Sequence, residues 1–158
     1  MNRHNLLIIG LIIILVLAGV IGYFIVEQRK TIIVKIFFSN SQEDLQALNC
    51  EKVYSVERQV LKNKAMVQAL EELLNGPSLE EQEKGYFTNI NSGVNINSFI
   101  VEDNIAKVDF DEQLEYQVGG SCRVMAIRSQ ITGTLVQFPE VNDVIISING
   151  RTEDILQP

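Results

Sequence analysis

Two cysteines are the residues of this chain with the most evident chemistry. Cys50 and Cys122 are 72 positions apart and lack the Cys-x-x-Cys spacing of a redox couple. Such a pair often forms a structural disulfide in an oxidising compartment; two buried free thiols are the alternative that the sequence leaves open. The single histidine, His4, lies outside the candidate folded domain. A Ser-His-Asp triad, a Cys-His dyad and a histidine zinc site are therefore excluded within that domain.

Two neighbouring aspartates suggest a second kind of chemistry. Asp109 and Asp111 lie at the end of a predicted strand, and Glu112 follows them. Side chains at i and i+2 share one face of a strand, so these carboxylates could bind a hard cation such as calcium. A calcium site needs about six to eight oxygen ligands, and EF-hand spacing is absent. We therefore interpret the three acids as solvated turn and edge residues and expect no metal site and no enzyme. A carboxylate pair of this kind would be the basis of the least favoured hypothesis, an enzyme.

A glycine-rich turn precedes the second predicted helix. The backbone N–H groups of Gly119, Gly120 and Ser121 could hold an anion at the helix N-terminus. The longer glycine signatures of phosphate-binding loops are absent. We therefore predict that Ser121 is a simple N-cap, and we expect no cofactor.

Charge excludes one class of partner. The chain has a net charge of -7, and residues 31–158 carry 10 Lys and Arg against 19 Asp and Glu. A nucleic-acid binder needs clustered cations, so nucleic acid is excluded as a partner. The same balance disfavours electrostatic attraction to an anionic membrane.

Three charged residues have structural interpretations. Glu57 and Arg58, as an exposed ion pair, would contribute little to stability. Arg128 would reach a carboxylate within the fold or on a partner.

The elements that position these residues follow from hydrophobic periodicity and turn signals. Residues 31–38 and 144–148 are predicted strands, and 94–101 and 105–110 a β-hairpin around Asp103 and Asn104. One helix follows Asn63 and ends at Gly76 and Pro77. A second starts at the glycine-rich turn and ends near Phe138 and Pro139. Its apolar stripe consists of Val124, Ile127, Ile131, Leu135 and Phe138.

These elements give the order β-α-β-β-α-β. We predict an α+β two-layer sandwich with two helices packed on one face of a small mixed or antiparallel sheet, preceded by one transmembrane helix. Residues 53–56 and 60–61 are predicted as short extended pieces, and residues 78–93 as a polar connection containing a short helix or a loop.

An uncharged run of 21 residues, 6–26, predicts the transmembrane anchor. As a helix it would span about 31 Å, close to the thickness of a bilayer core. Residues 1–5 form a short tail, 27–30 a spacer and 31–158 one domain. Arg3 before the run and Arg29, Lys30 and Lys35 after it favour a cytoplasmic domain, whereas the cysteine pair favours the opposite side.

A family resemblance covers almost all of residues 31–158. The chain resembles the GerMN domain of bacterial sporulation and spore-germination proteins. The segments that carry the resemblance are Val53–Val60, Ala69–Pro77, Gly85–Thr88, Gly93–Ser98, Ile105–Phe110, Gly119–Ser121, Ile127–Pro139 and Val144–Ile148. The motif positions, mostly structural, are Val56, Glu57, Arg58, Gly76, Pro77, Gly85, Asp109, Gly119, Gly120, Ser121, Arg128, Phe138 and Pro139.

The resemblance implies an extracytoplasmic domain without catalytic residues, with a fold like the ring-building modules of bacterial transenvelope machines. It also implies a link to the assembly that joins mother cell and forespore, or to lipoproteins that accompany sensor kinases. This sequence departs from the family by carrying one copy of the module and a transmembrane segment in place of a lipid anchor.

Two functional hypotheses follow. The first is a membrane-anchored, extracytoplasmic interaction or assembly module of a bacterial envelope complex, which binds itself or an envelope protein through a helix face or a sheet edge. The alternative is a ligand-binding accessory domain that senses a cell-wall fragment or a small molecule in a concave pocket. The absence of Trp removes the usual aromatic platform for sugars and favours the first hypothesis.

Overall fold

The computed structural model describes residues 12–23, 30–44 and 49–157. Residues 12–23 are helical. Among all the described residues, no helix is both long enough and apolar enough to cross a bilayer. The predicted anchor, residues 6–26, extends beyond the described residues at both ends. The predicted tail, residues 1–5, and all but the last residue of the spacer 27–30 also lie outside them. The anchor and its boundaries therefore stay predictions.

The first sheet is built around one long strand. Strand β1 (Thr31–Asn40) pairs antiparallel with β2 (Tyr54–Leu61), and its last two residues pair with the short strand β3 (Tyr86–Phe87). The strand order is β2-β1-β3. The prediction of two short extended pieces over residues 53–61 was wrong, because one continuous strand occupies that region.

The second sheet contains the predicted hairpin. Strands β4 (Ile96–Glu102) and β5 (Ile105–Phe110) are antiparallel, and β6 (Asp143–Ile148) lies parallel to β5. At the hairpin turn, Asp103 and Asn104 have φ of 51° and 60°. Two consecutive positive φ values are what a type I′ turn requires. The predicted hairpin is confirmed.

Within the described residues, three α-helices connect the strands. Helix α1 (Ala65–Asn75) follows a 3₁₀ turn at Lys62–Lys64 and packs on β1 and β2. Helix α2 (Leu79–Glu83) is a single short helix within the predicted polar connection. Helix α3 (Ser121–Val136) contacts β1, β6 and α1, so it joins the two sheets. A further 3₁₀ turn, Glu112–Leu114, precedes α3.

The core lies between the helices and the two sheets. The predicted apolar stripe of α3 is buried along its whole length, and Leu70 and Leu73 of α1 face it. The α+β class is confirmed. The predicted order with a single sheet was wrong, because β2 precedes α1 and the strands divide into two three-stranded sheets.

Candidate functional site

A cleft of about 320 Å³ opens beside the two cysteines. Cys50 and Cys122 form a disulfide with an S–S distance of 1.97 Å and a Cα–Cα distance of 5.0 Å. The bond joins the segment before β2 to the first turn of α3. The cleft is lined by Ser39, Asn40, Ser41, Asp44, Asn49, Cys50, Lys52, Phe87, Asn89, Cys122 and Ala126. The disulfide therefore forms part of one wall of this cleft.

Under this cleft lies a buried polar cluster centred on Gln130. Gln130 is fully buried, and its Nε2 donates to Ser39 Oγ at 3.1 Å. Its Oε1 accepts from Thr88 Oγ1 at 3.0 Å and from the backbone N–H of Asn89 at 3.4 Å. Asn89 Nδ2 also donates to Ser39 Oγ, at 2.9 Å. Buried amides need such partners, so the cluster fixes the end of β3 to β1 and α3.

The end of β1 carries a second buried polar residue, Asn40. Its Oδ1 accepts from the backbone N–H groups of Gln42 and Glu43 at 2.8 and 3.1 Å. Its Nδ2 donates to the carbonyl of Lys84 at 3.1 Å. Gly85 follows with φ of +87°, and a Cβ there would lie 2.9 Å from Asn40 Oδ1 and 2.7 Å from Gln42 Cγ. Only glycine meets both the backbone and the space requirement at this position.

An ion-pair cluster ties β2 to the two helices that follow it. Arg58 donates through Nη1 and Nη2 to the two carboxylate oxygens of Glu81, each at 2.6 Å, and its Nε lies 3.3 Å from Glu72 Oε2. Ser78 and Glu81 also form a capping box at the start of α2. The hydrogen bonds from Arg58 are the main cause that lowers the pKa of Glu81 to about 2. The predicted exposed pair of Glu57 with Arg58 was wrong, because Arg58 turns inward to these helices.

The two predicted aspartates hold turns. Asp109 Oδ1 accepts from Ser147 Oγ at 2.6 Å and from the Gly150 N–H at 2.7 Å. Burial acts to raise the pKa of Asp109, but the hydrogen bonds from Ser147, Gly150 and Asn97 lower it overall. Asp111 Oδ2 accepts from Asn95 Nδ2 at 2.7 Å. Among the described residues, no group of three or more His, Cys, Asp or Glu is placed to hold a metal.

The glycine-rich turn works differently from the prediction. Helix α3 starts at Ser121, and the N-cap is Gly120, with φ of 88° and no side-chain cap. The assignment of Ser121 as N-cap was wrong, since the turn at Gly120 already places Ser121 in the first helical turn. Gly119 precedes this turn in an exposed position.

The remaining motif positions are structural in different ways. Arg128 Nη2 donates to the carbonyl of Ile155 at 3.1 Å, so within the described part of the chain it reaches the C-terminal segment; a carboxylate of a partner stays a prediction. Gly76 caps α1 with φ of 79°, and Pro77 follows it. Of the other motif positions, Val56 and Phe138 are buried in the core, and Pro139 is exposed.

One edge of the first sheet is closed by side chains of α3 and the residue after it. Thr134 Oγ1 accepts from the Phe37 N–H at 3.2 Å. Gln137 Oε1 accepts from the Lys35 N–H at 2.7 Å, and Gln137 Nε2 donates to the Lys35 carbonyl at 2.5 Å. An open strand edge is a template for pairing with another chain. This part of the β1 edge is therefore not available for docking.

The outer face of the second sheet presents two exposed isoleucines on either side of a lysine. Ile100 of β4, Lys107 of β5 and Ile145 of β6 are register partners across the three strands. Ile100 is 48% exposed and Ile145 is 38% exposed. Lys107 Nζ forms an ion pair with Glu102 Oε2 at 2.7 Å within the same hairpin. Strands β4 and β6 form the two edges of this sheet.

The sequence profile of one family, Germane, described as "Sporulation and spore germination", matches residues 35–154. The chain belongs to the Germane family. The resemblance to GerMN domains is thereby confirmed, and the chain carries a sporulation and germination domain of this kind. No curated protein matches this Germane chain.

Two solved structures share the fold of this Germane domain. The tandem GerMN domains of the sporulation protein GerM from Bacillus subtilis match with a TM-score of 0.59 and 21% identity, over 77% of this chain and 40% of that one. The first GerMN domain of the same protein matches with a TM-score of 0.55 and 20% identity, over 77% and 85% of the two chains. This chain thus spans less than half of the tandem structure.

Proposed function

We propose that this Germane protein is a non-enzymatic, membrane-anchored interaction module of a bacterial envelope complex. Its role is to assemble with further copies of itself or with an envelope protein, in the context of sporulation or germination that the family describes.

The observation that carries the proposal is the pair of exposed isoleucines on the outer face of the second sheet. Ile100 and Ile145 are large, exposed aliphatic residues on either side of Lys107. Single exposed apolar residues are ordinary, but a pair on two edge strands provides both an apolar contact and backbone hydrogen bonds. Part of the β1 edge of the first sheet is closed by Thr134 and Gln137, whereas the exposed isoleucines of the second sheet lie on its two edge strands, β4 and β6.

Residues 6–26 are proposed as the anchor and residues 31–158 as the extracytoplasmic part. The anchor rests on the uncharged 21-residue run. The disulfide between Cys50 and Cys122 supports the extracytoplasmic side, because disulfides persist in oxidising compartments and are rare in the cytosol.

The self-assembly form is tested on the full chain in detergent by sedimentation velocity over a concentration series. We expect the wild type to associate and an Ile100→Asp, Ile145→Asp variant to remain monomeric, because a buried unpaired charge opposes an apolar contact. Val136→Asp on α3 is the matched control, since Val136 is similarly exposed (41%) on another surface. It should associate like the wild type.

A photo-crosslinking amino acid separates a second copy from an envelope protein as partner. Placed at position 100 and, as control, at position 136, it is activated in the cells that produce the protein. Crosslinks specific to position 100 identify the partner by mass. A chain that is monomeric at every concentration and gives no crosslink specific to position 100 would remove the interaction proposal.

The cleft beside the disulfide favours the second candidate function, a ligand-binding accessory domain. Its lining is mixed, with Phe87 and Ala126 next to Asn49 and Asn89. A soluble muropeptide is the probe for this hypothesis, titrated calorimetrically into the full chain in detergent. Saturable heat that is lost in Phe87→Ala would support it, because Phe87 is 43% exposed and its loss leaves the core intact. Equal or absent heat in both chains would contradict it.

A further inference from the structure

Three lysines gather at the end of the domain where the chain enters it. The backbone N–H of Lys62 donates to the carbonyl of Lys30 at 2.8 Å, and Thr31 pairs with Leu61. Lys62 and Lys64 belong to the 3₁₀ turn that follows β2. Residues far apart in sequence therefore meet at the start of β1, next to the spacer that leads to the proposed anchor.

This basic end, defined by Lys30, Lys62 and Lys64, contrasts with the rest of an acidic domain. Lys62 and Lys64 are exposed, and neither takes part in the ion pairs of the described residues. By comparison, Lys84 and Lys107 are paired with Glu80 and Glu102. The positive charges of Lys62 and Lys64 are thus left for a partner.

Helix stability does not account for one of these lysines. Lys64 is the N-cap of α1, makes no side-chain cap, and no acidic residue lies in the first turn. The N-cap position favours Ser, Thr, Asp or Asn, and a cation there is repelled by the positive end of the helix dipole. Lys64 therefore costs the helix some stability, and its charge adds to the positive end of the dipole.

The spacer leaves the basic end little freedom to move away from a membrane. Residues 27–30 span at most about 14 Å when fully extended, which is close to the Debye length of roughly 8 to 10 Å in physiological salt. Ile33 lies near the same end and is 67% exposed. An exposed aliphatic residue beside lysines matches the apolar and anionic layers of a lipid surface.

We propose that the basic end rests on anionic lipid headgroups and sets the orientation of the domain on the membrane. This inference rests on the anchor of the proposed function. The negative charge of the whole domain disfavours a membrane contact in general, so the contact is confined to this end, where Lys62 and Lys64 are exposed. Because the contact is made at the anchor, it leaves the open face of the second sheet free for a protein partner.

Lysine footprinting of the full chain in nanodiscs tests the inference. The chain is incorporated into discs of pure phosphatidylcholine and of equal phosphatidylcholine and phosphatidylglycerol, and acetylation rates are measured by mass spectrometry. A lysine at an anionic surface gains about 1 kcal/mol, or roughly 5-fold. We therefore expect Lys62 and Lys64 to react about 5-fold more slowly in the anionic discs, and this protection to disappear at high salt.

Lys52 is the control within the same molecule. It is exposed and precedes β2, whose eight residues separate it from the basic end by about 25 Å. Its acetylation should be equal in both discs. In a Lys62→Gln, Lys64→Gln chain the protection of Lys30 should be lost, whereas Lys52→Gln should retain it.

The outcomes separate the two proposals. A chain that enters neither disc removes the anchor and, with it, this inference. A chain that enters both discs but shows equal acetylation of Lys62 and Lys64 in them keeps the anchor and overturns the lipid contact. Protection of Lys52 equal to that of Lys62 would also overturn it, because the effect would then not be specific to the basic end.

Discussion

Arg58 on β2 and Glu81 on α2 are joined by two parallel hydrogen bonds of 2.6 Å each. Only 20% and 15% of the two side chains is exposed, so the pair is largely shielded from solvent. Glu81 simultaneously accepts the N–H of Ser78 in the capping box. One carboxylate therefore fixes the start of α2 and its position against the first sheet, and α2 leads directly to Gly85 and the polar cluster under the cleft.

Arg58→Ala should destabilise the domain by about 2 kcal/mol. The variant removes two charge-assisted hydrogen bonds and leaves Glu81 partly buried without its cation. Arg58→Lys should recover only part of the loss, since an ammonium group cannot make the bidentate contact. Urea denaturation followed by circular dichroism measures both values.

The matched control for this prediction is Lys84→Ala. Lys84 pairs with Glu80 on the same short helix, but both side chains are largely exposed, and exposed pairs contribute little. An equal loss in Arg58→Ala and Lys84→Ala would contradict a special role of the Arg58 pair.

The contribution of Glu81 should depend on pH in one direction. Its carboxyl has a pKa of about 2 in the folded chain against an ordinary value of 4.5, mainly because Arg58 hydrogen bonds to the charged form. A lowered folded pKa means that the stabilisation is complete above about pH 4.5 and is lost as the pH falls toward 2.

The comparison of wild type with Glu81→Gln isolates this term from other acids such as Asp109. The difference in unfolding free energy between the two chains should be constant from pH 7 to about pH 5 and shrink between pH 4 and pH 2. A difference that grows on acidification would show that the sign is wrong.

Gly85→Ala should destabilise more than Gly93→Ala. Both glycines have a similar positive φ, +87° and +80°, so both variants acquire a backbone strain of about 1 kcal/mol. A Cβ at Gly85 would also meet Gln42 Cγ at 2.7 Å and Asn40 Oδ1 at 2.9 Å, whereas nothing lies within 4 Å at Gly93. We expect an additional loss of about 1 to 3 kcal/mol at Gly85. Equal thermal unfolding midpoints would contradict the close contact.

Local signals predicted the parts of the fold that depend on neighbouring residues. The turn at Asp103 and Asn104 needs two residues that tolerate positive φ, and those two residues supply it. The buried stripe of α3 follows from apolar residues at helical spacing. The end of α1 follows from Gly76 and Pro77.

The parts of the fold that the sequence did not predict depend on contacts between residues far apart in the chain. Arg58 interrupts the apolar alternation of β2 between Val56 and Val60, so the segment was not predicted as one strand with a buried face. Its partners Glu72 and Glu81 come from helices that follow. Gln130 is a similar case. It is a polar residue on the buried face of α3, and its side chain hydrogen-bonds with Ser39 and Thr88, which no periodicity of the sequence relates to it.

Removal of the disulfide should lower the stability of the domain through the unfolded state. Cys50 and Cys122 are 72 residues apart, and a cross-link over a loop of that length restricts the unfolded chain by about 4 kcal/mol. Cys122 is exposed and Cys50 is half-buried, so Cys50→Ser with Cys122→Ser buries little new polar surface and leaves the core packing unchanged. We therefore expect the variant to fold with a lower urea midpoint and to match the wild type measured after reduction. If the variant were as stable as the oxidised wild type, the cross-link would not restrict the unfolded chain. If the reduced wild type were much less stable than the variant, the two free thiols would destabilise the fold directly.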